Sequence, residues 1–498
     1  MPDSVLNARI AEAIDRFQEA VKNRLSTWES AQDPVRFRRM EMEVAATARA
    51  VADEICGAVL QSTAQSPAFQ KETLMAARRS GRYRGGDRRP VEVTLLGGRK
   101  VVVRVPYLKP DRRGCVGRPR GVGRRGQGGA GLYPALAALG IWFGVTPALA
   151  AEVSSQVADS DSLRTGVEAL ARRGTQLGLK QAHRIVNDCS QRCVQQRQEW
   201  MQEALASGAP VAGSLAGERV VIATDGGRLR QRCPKKRGRT RKETGRRGYH
   251  APWREPKLFV IYTIDEQGRP QKMRRPVYDG TLGDCNAMFA LLSSYLKALD
   301  IAKARQVIFV GDGAKWIWER AASLLSTLGV PAERVTEGID FYHAAEVLHE
   351  IASIPADWST FHREKWIKRA RRHLASGHIT AVVAMIDQLA VGRRAKEVKS
   401  HRDYFERNAH RMQYSQFKKA KIPRGSGAIE STVRRVVNMR MKGNGTFWLE
   451  ENAEGMLMLR SYLKAGRLDD LMDWSFFRAA SWWNPQHNDA AEELDEAA

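Results

Sequence analysis

Cysteine is scarce: Cys56, Cys115, Cys189, Cys193, Cys233 and Cys285 are the only six in 498 residues. That excludes a disulfide framework. No two of them form a CxxC pair, so the ligand spacing of a zinc finger is missing too, and no zinc is expected. Cys189 and Cys193 stand four apart on what reads as one helix, as buried thiols of a reduced cytosolic protein would. A signal peptide is also lacking, since MPDSVLNARIAEAIDRF has no basic start, apolar centre and small-residue cleavage site. No run is apolar enough for a membrane span. The nearest, residues 126–151, is uncharged, but LYPALAALGIWFGVTPALAA holds Pro134, Pro147 and many weakly apolar Ala. A spanning helix needs about 20 strongly apolar residues, so buried helix–turn–helix packing is expected here. Acidic residues are in deficit: 55 Asp and Glu face 81 Lys and Arg, a net charge of +26. Such a field draws polyanions and argues against an ordinary small-molecule enzyme. Nucleic acid is the first partner to expect. A membrane surface is opposed by the lack of an amphipathic Lys-rich helix with Trp anchors.

What is present is enough to build cores. The chain is 43% hydrophobic, with 12 Trp and 14 Phe, which excludes a wholly disordered basic protein. Its length suits two to four domains. Residues 1–75 read as helical, with Leu6, Ile10, Ile14, Phe17 and Val21 at helical spacing; a plain helical hairpin, a dimerisation element and a DNA-binding element all remain open. Residues 76–130 form a basic β-hairpin region, with VEVTLLGG and RKVVVRVPYL around Gly97-Gly98 and Arg/Gly-rich flanks suited to phosphate. Residues 131–212 read as three helices. The break at Gly174–Gly178 resembles a helix-turn-helix turn, whose second helix would present Lys180, Gln181, His183, Arg184 and Asn187 to a groove.

From residue 213 strands and helices alternate. ERVVIATDG, KLFVIYTID and PQKMRRPVYDG read as three strands, CNAMFALLSSYLKALD as a helix, and RQVIFVGDG as a strand. AKWIWERAASLLSTL is a second helix and ERVTEGIDFYH a last strand. The order β-β-β-α-β-α-β predicts a mixed sheet flanked by helices over 213–343. Residues 344–424 read as a basic helical insertion, 425–480 as helices opened by Gly-Ser-Gly, and 481–498 as an acidic disordered tail.

Three acids stand out. Asp225 ends the apolar strand of IATDGGR, Asp312 ends that of VIFVGDGAKW, and Glu430 opens the helix of RGSGAIEST. An Asp before Gly at a strand end is as often a turn residue, and a lone helical Glu is usually solvated. Together, two strand ends can lie side by side under a helix that delivers a third carboxylate. Such clusters repel unless divalent cations neutralise them, and hard oxygen ligands select Mg2+ or Mn2+. A pair of these ions stabilises the attacking and leaving oxygens of a phosphoryl displacement. Between the first two strands, residues 228–257 carry 13 Lys or Arg, read as a long loop on DNA backbone. The candidates there are Arg228, Arg230, Lys235, Lys236, Arg237, Arg239, Arg241, Lys242, Arg246 and Arg247. Arg434, Arg435 and Lys442 follow the Glu430 helix start and are expected near phosphates. Trp316 and Trp318 read as helix-packing residues.

The strand order with two Asp and a helical Glu resembles the RNase H-like fold of DDE transposases and integrases. The words IATDGGR, VGDGAKWIW, DFYHAAEVLHEIA and GSGAIESTVRRVVNMRMKGNGTFW, in this order over about 217–463, are similar to bacterial insertion-sequence transposases of the ISKra/ISLre type. The resemblance implies an α/β RNase H-like mixed-sheet core with an all-helical insertion, behind a mainly helical N-terminal DNA-binding region with a small hairpin. It implies that Asp225, Asp312 and Glu430 are the catalytic triad, holding two Mg2+ (or Mn2+). The 118 positions from Asp312 to Glu430 match branches with a helical insertion. Asp340 and His343, in IDFYH, resemble a DxxH signature of Mutator-like transposases; a helix-start Asp with a core His is the plain alternative.

The function implied is a DNA transposase. It would bind terminal inverted repeats, cut at element ends and join 3′-hydroxyls to target double-stranded DNA, as a homodimer when synapsed. The location implied is cytoplasmic, at the nucleoid. Alternatives are an RNase H-like nuclease or junction resolvase, and a non-catalytic DNA-binding derivative.

Overall fold

The computed structural model describes residues 3–29, 33–79, 83–110, 131–203, 208–235, 240, 248–480 and 482–483. Backbone contacts divide the chain into two units, residues 1–196 with 469–497, and residues 197–468. No helix among the described residues is long and apolar enough to cross a membrane.

In the first unit, helices α1 (Asp3–Glu29) and α2 (Pro34–Gln65) pack as a hairpin, followed by α3 (Pro67–Arg79). Asp33 starts α2 by accepting the Val35 and Arg36 amides at 2.8 and 2.9 Å, with Pro34 at the first helical position. Strands β1 (Tyr83–Thr94) and β2 (Lys100–Pro110) form the expected hairpin. Its turn is fastened from α2, where buried Asp53 accepts the Gly97 and Arg99 amides at 3.0 and 3.1 Å. A Cβ at Gly97 would lie 2.6 Å from that carboxylate, which is why glycine stands there. The hairpin is longer than the apolar runs suggest. The Arg/Gly stretch from Tyr83, read from the sequence as a flank of the hairpin, pairs with residues up to Pro110 across a bulge at Gly85/Asp87. The other flank, residues 111–130 with Cys115, lies outside the described residues.

Leu60, Ala64, Val93, Val103, Leu136 and Ile141 share one core. The uncharged stretch 131–151 gives α4 (Pro134–Ala138), a turn and the start of α5 (Pro147–Asp159), largely buried as expected. Helices α6 (Leu163–Arg172) and α7 (Leu179–Gln202) follow. Cys189 and Cys193 are free and buried on α7.

The second unit is built on a mixed five-stranded sheet. Its strands are β3 (Arg219–Gly226), β8 (Lys257–Ile264), β9 (Val277–Thr281), β10 (Gln306–Gly311) and β11 (Val335–Ile339), in the spatial order β11-β10-β3-β8-β9. β3, β10 and β11 run parallel, while β8 and β9 are antiparallel. Val220, Val221, Ile222 and Ala223 of β3 are all buried, as a central strand covered on both faces requires. Between β3 and β8 the described residues are not a plain loop. Short strands β4 (Leu229–Arg230), β5 (Cys233–Pro234), β6 (Tyr249–His250) and β7 (Trp253–Arg254) pair β4 with β7 and β5 with β6, forming the base of an antiparallel arm.

Helices α8 (Cys285–Ala298) and α9 (Lys315–Thr327) alternate with the later strands, and α10 (Phe341–Ser353) follows β11. The expected helical insertion comprises α11 (Thr360–Ala375), α12 (Ile379–Asp387), α13 (Ala395–Arg407) and α14 (Tyr414–Lys419). Helix α15 (Gly427–Val433) runs into a π-helical turn at Arg434–Asn438; α16 (Glu450–Ala465) and α17 (Leu468–Ala480) close the described chain. Buried Arg197 of α7 donates to Asp279 of β9 at 2.7 Å and to Glu454 of α16 at 2.8 Å. Tyr295 of α8 donates to the other Asp279 oxygen at 2.7 Å. These bonds tie the edge strand β9 to residues of three helices, α7, α8 and α16.

Candidate active site

Strand register sets the site. β10 pairs with β3 at Val310↔Ala223, so two residues further on Asp312 is level with Asp225. β11 pairs with β10 at Gly311↔Ile339, so one residue further Asp340 is level with Asp312. Three aspartates thus stand in a row where three adjacent parallel strands end. Carboxyl ends of strands in open α/β sheets are where ligands bind.

Helix α15 packs across β3 and β8 and brings Glu430 to this end of the sheet. Close approach is possible because Gly227 has no side chain; a Cβ there would meet Val437 at 3.1–3.3 Å. The helix start is clasped from beneath. Buried Asp340 accepts the Tyr342 and His343 amides through Oδ1, at 2.5 and 3.1 Å, which starts α10. Its Oδ2 takes both the Ser426 amide and the Ser426 hydroxyl. The same hydroxyl lies 3.2 Å from Glu430 Oε1, and its single proton serves one carboxylate at a time. Buried Arg460 of α16 holds the far end, donating to the backbone carbonyls of Arg435 and Val436 in the π-turn. Trp318 donates its indole N–H to the Asp312 carbonyl at 2.8 Å and is buried, so it anchors this strand end as a packing residue.

The carboxylates feel one another. Burial pushes the Asp225 carboxyl up from 3.8 to about 6, against the Gly226 amide that steadies its charge; Asp312 and Glu430 raise it further, and His343 opposes them. Asp225 Oδ1 accepts the Gly226 amide at 2.7 Å, and Asp312 Oδ1 the Ala314 amide at 2.9 Å. Glu430 is exposed. His343 is half-exposed, with Nδ1 3.4 Å from Glu346. Three hard carboxylate oxygens are the donor chemistry of Mg2+ or Mn2+. Among the described residues no three His, Cys, Asp or Glu are grouped tightly enough to hold an ion.

The basic candidates divide. Arg228 and Arg230 are exposed, and the Arg230 guanidinium lies over Trp253 at 4.9 Å and over Phe447 at 5.9 Å. Lys235 sits at the end of β5. Lys236, Arg237, Arg239, Arg241, Lys242, Arg246 and Arg247 lie outside the described residues. Arg434 and Lys442 are exposed. Arg435, expected to face phosphates, is half-buried and donates to the Tyr278 hydroxyl at 2.9 Å, so its guanidinium is already engaged. Lys180 and Arg184 are exposed on α7, in the other unit.

Sequence reasoning missed Ser426, which it read only as part of a helix-opening Gly-Ser-Gly. It also missed Tyr404, a residue of the insertion that lies against Gly313. Nothing in the local sequence around Tyr404 points to the Asp312 strand. Comparison with known protein families, with curated proteins and with solved structures finds no match for this chain.

Proposed function

We propose that the chain is a DNA transposase with an RNase H-like catalytic core. It would bind inverted repeats at the ends of its element, cut there, and join the 3′-hydroxyl ends to target double-stranded DNA. The observation that carries this is the level placement of Asp225 and Asp312 on adjacent strand ends, with the Glu430 helix laid across them and their charges coupled. The order β-β-β-α-β-α-β supports the same reading. So does the net charge of +26, since phosphodiester backbone is the polyanion such a field gathers.

Asp225, Asp312 and Glu430 would hold one or two Mg2+ or Mn2+. Bound there, such ions supply Lewis-acid stabilisation to the oxygens entering and leaving phosphorus. The protein's own part is placement. Asp225 must be ionised, which it becomes as pH rises through about 6. Asp340 acts as a positioning residue, since each of its oxygens is taken by backbone amides or Ser426, and it fixes where Glu430 stands. Arg228, Arg230 and Lys235 would grip the backbone from the arm that leaves β3 beside Asp225. A homodimer assembled on two element ends follows from the need to hold both.

The test is a strand-transfer assay with Mg2+ and DNA carrying the ends that flank the gene. Joined product supports the transposase. Cutting without joining favours a nuclease or resolvase, and salt-sensitive binding with neither favours a non-catalytic derivative.

A further inference from the structure

Helix α13 of the helical insertion places an aromatic ring on the Asp312 strand end. A Cβ at Gly313 would lie 1.9 Å from Tyr404 Cε2 and 2.8 Å from both Cδ2 and Cζ. The Cε2 edge of the ring, next to the carbon that bears the hydroxyl, therefore rests against the backbone immediately after Asp312, in the space that any side chain at 313 would need. Neighbouring Phe405 and Val398 of α13 are fully buried, so the helix that carries Tyr404 is firmly seated.

The hydroxyl has an acidic setting and no committed acceptor. Burial and then the Asp312 and Asp340 carboxylates hold the phenol well above its ordinary range, with Arg407 opposing them. It stays protonated at any working pH and acts as a hydrogen-bond donor. Asp340 is already saturated by Tyr342, His343 and Ser426, and Asp312 Oδ1 is taken by Ala314. Among the described residues no acceptor is bonded to the Tyr404 hydroxyl, and the residue is half-buried, not sealed.

We propose that Tyr404 is a substrate-contacting residue of this site, its phenolic O–H donating a hydrogen bond to a non-bridging oxygen of the phosphodiester held at Asp225 and Asp312. A phosphate brought to three carboxylates needs donors as well as cations, and this one is in place before substrate arrives. Pre-set donors aimed at developing negative charge are among the larger contributions an enzyme makes. The helical insertion between Asp340 and Glu430 then has a part in the site, since it delivers this donor. The inference rests on the phosphodiester chemistry proposed above.

The test is the single-turnover rate of Mg2+-dependent cleavage of element-end DNA by full-length wild type and Tyr404→Phe, with enzyme saturating. The variant keeps the ring on Gly313 and loses only the hydroxyl. We expect a rate loss of ~10²-fold, the scale of one lost transition-state donor, with unchanged Tm, unchanged DNA affinity and an unchanged pH profile. Equal rates for the two proteins overturn the proposal. So does a loss that comes with a lower Tm or a shifted acid limb, since Tyr404 would then act through packing or through Asp312. Wild type that cuts nothing removes the proposal together with the chemistry it rests on. That outcome is distinct from its own failure, in which wild type cuts and the variant keeps pace.

Discussion

At the scale of single residues, Asp225 carries a cost that its position imposes. Its carboxyl titrates near 3.8 in an unfolded chain and near 6 in the fold, chiefly through burial. As pH rises from about 4 to about 6 the unfolded chain gives up this proton before the folded one does, so stability falls across that window. Asp225→Asn removes the charge and keeps the shape. The variant should be more stable than wild type at pH 8 by ~1–3 kcal/mol, with the difference vanishing below about pH 4. Denaturant unfolding at the two pH values checks it, and equal stability at pH 8 would refute it. Asp225 and Asp312 were legible because each closes an apolar strand and precedes glycine. Glu430 was legible only beside them. Ser426 and Tyr404 were not, because their roles depend on which distant strand end they meet.

At the scale of elements, the placement of α15 depends on a clasp of two residues. Ser426→Ala removes the hydroxyl that Asp340 Oδ2 accepts, leaving a buried carboxylate less well satisfied. A loss of ~1–3 kcal/mol is expected, together with slower cleavage although all three carboxylates remain. Unchanged stability and rate would show that the amide bond alone suffices. The Arg197 network is a second such joint. Arg197→Met leaves buried Asp279 and half-buried Glu454 without their cation and should destabilise by ~3–5 kcal/mol in urea unfolding. Element order was readable from period and apolar runs, but element ends were not. β1 begins at Tyr83 because cross-strand pairing with residues up to Pro110 overrides the Arg/Gly composition. The stretch between β3 and β8 read as a charged loop because its paired segments are only two residues long. The insertion run RHLASGHITAVVAMIDQLA breaks between α11 and α12 at Gly377, whose φ of 77° is left-handed.

At the scale of the whole molecule, a net charge of +26 makes the proposed DNA binding salt-dependent. Affinity should fall linearly in a log–log plot against salt, with a slope of about −0.9 for each phosphate neutralised. Arg228→Ala and Lys235→Ala should each flatten that slope by about 1, and weaken matched and unmatched sequences alike. An unchanged slope would remove those side chains from the DNA path. The division into two units was less readable than the strand order. Residues 469–480, in α17, group with the N-terminal unit, a return that no composition shift marks.

The central claim is that Asp225, Asp312 and Glu430 act as one metal-dependent phosphodiester site. It is tested most directly by Mg2+-dependent cleavage of element-end DNA by wild type, Asp225→Asn, Asp312→Asn and Glu430→Gln, each confirmed folded and DNA-bound. The account predicts cleavage by wild type and a loss of at least ~10³-fold in each variant, as expected where groups act as a unit. A variant that cuts at the wild-type rate would contradict it.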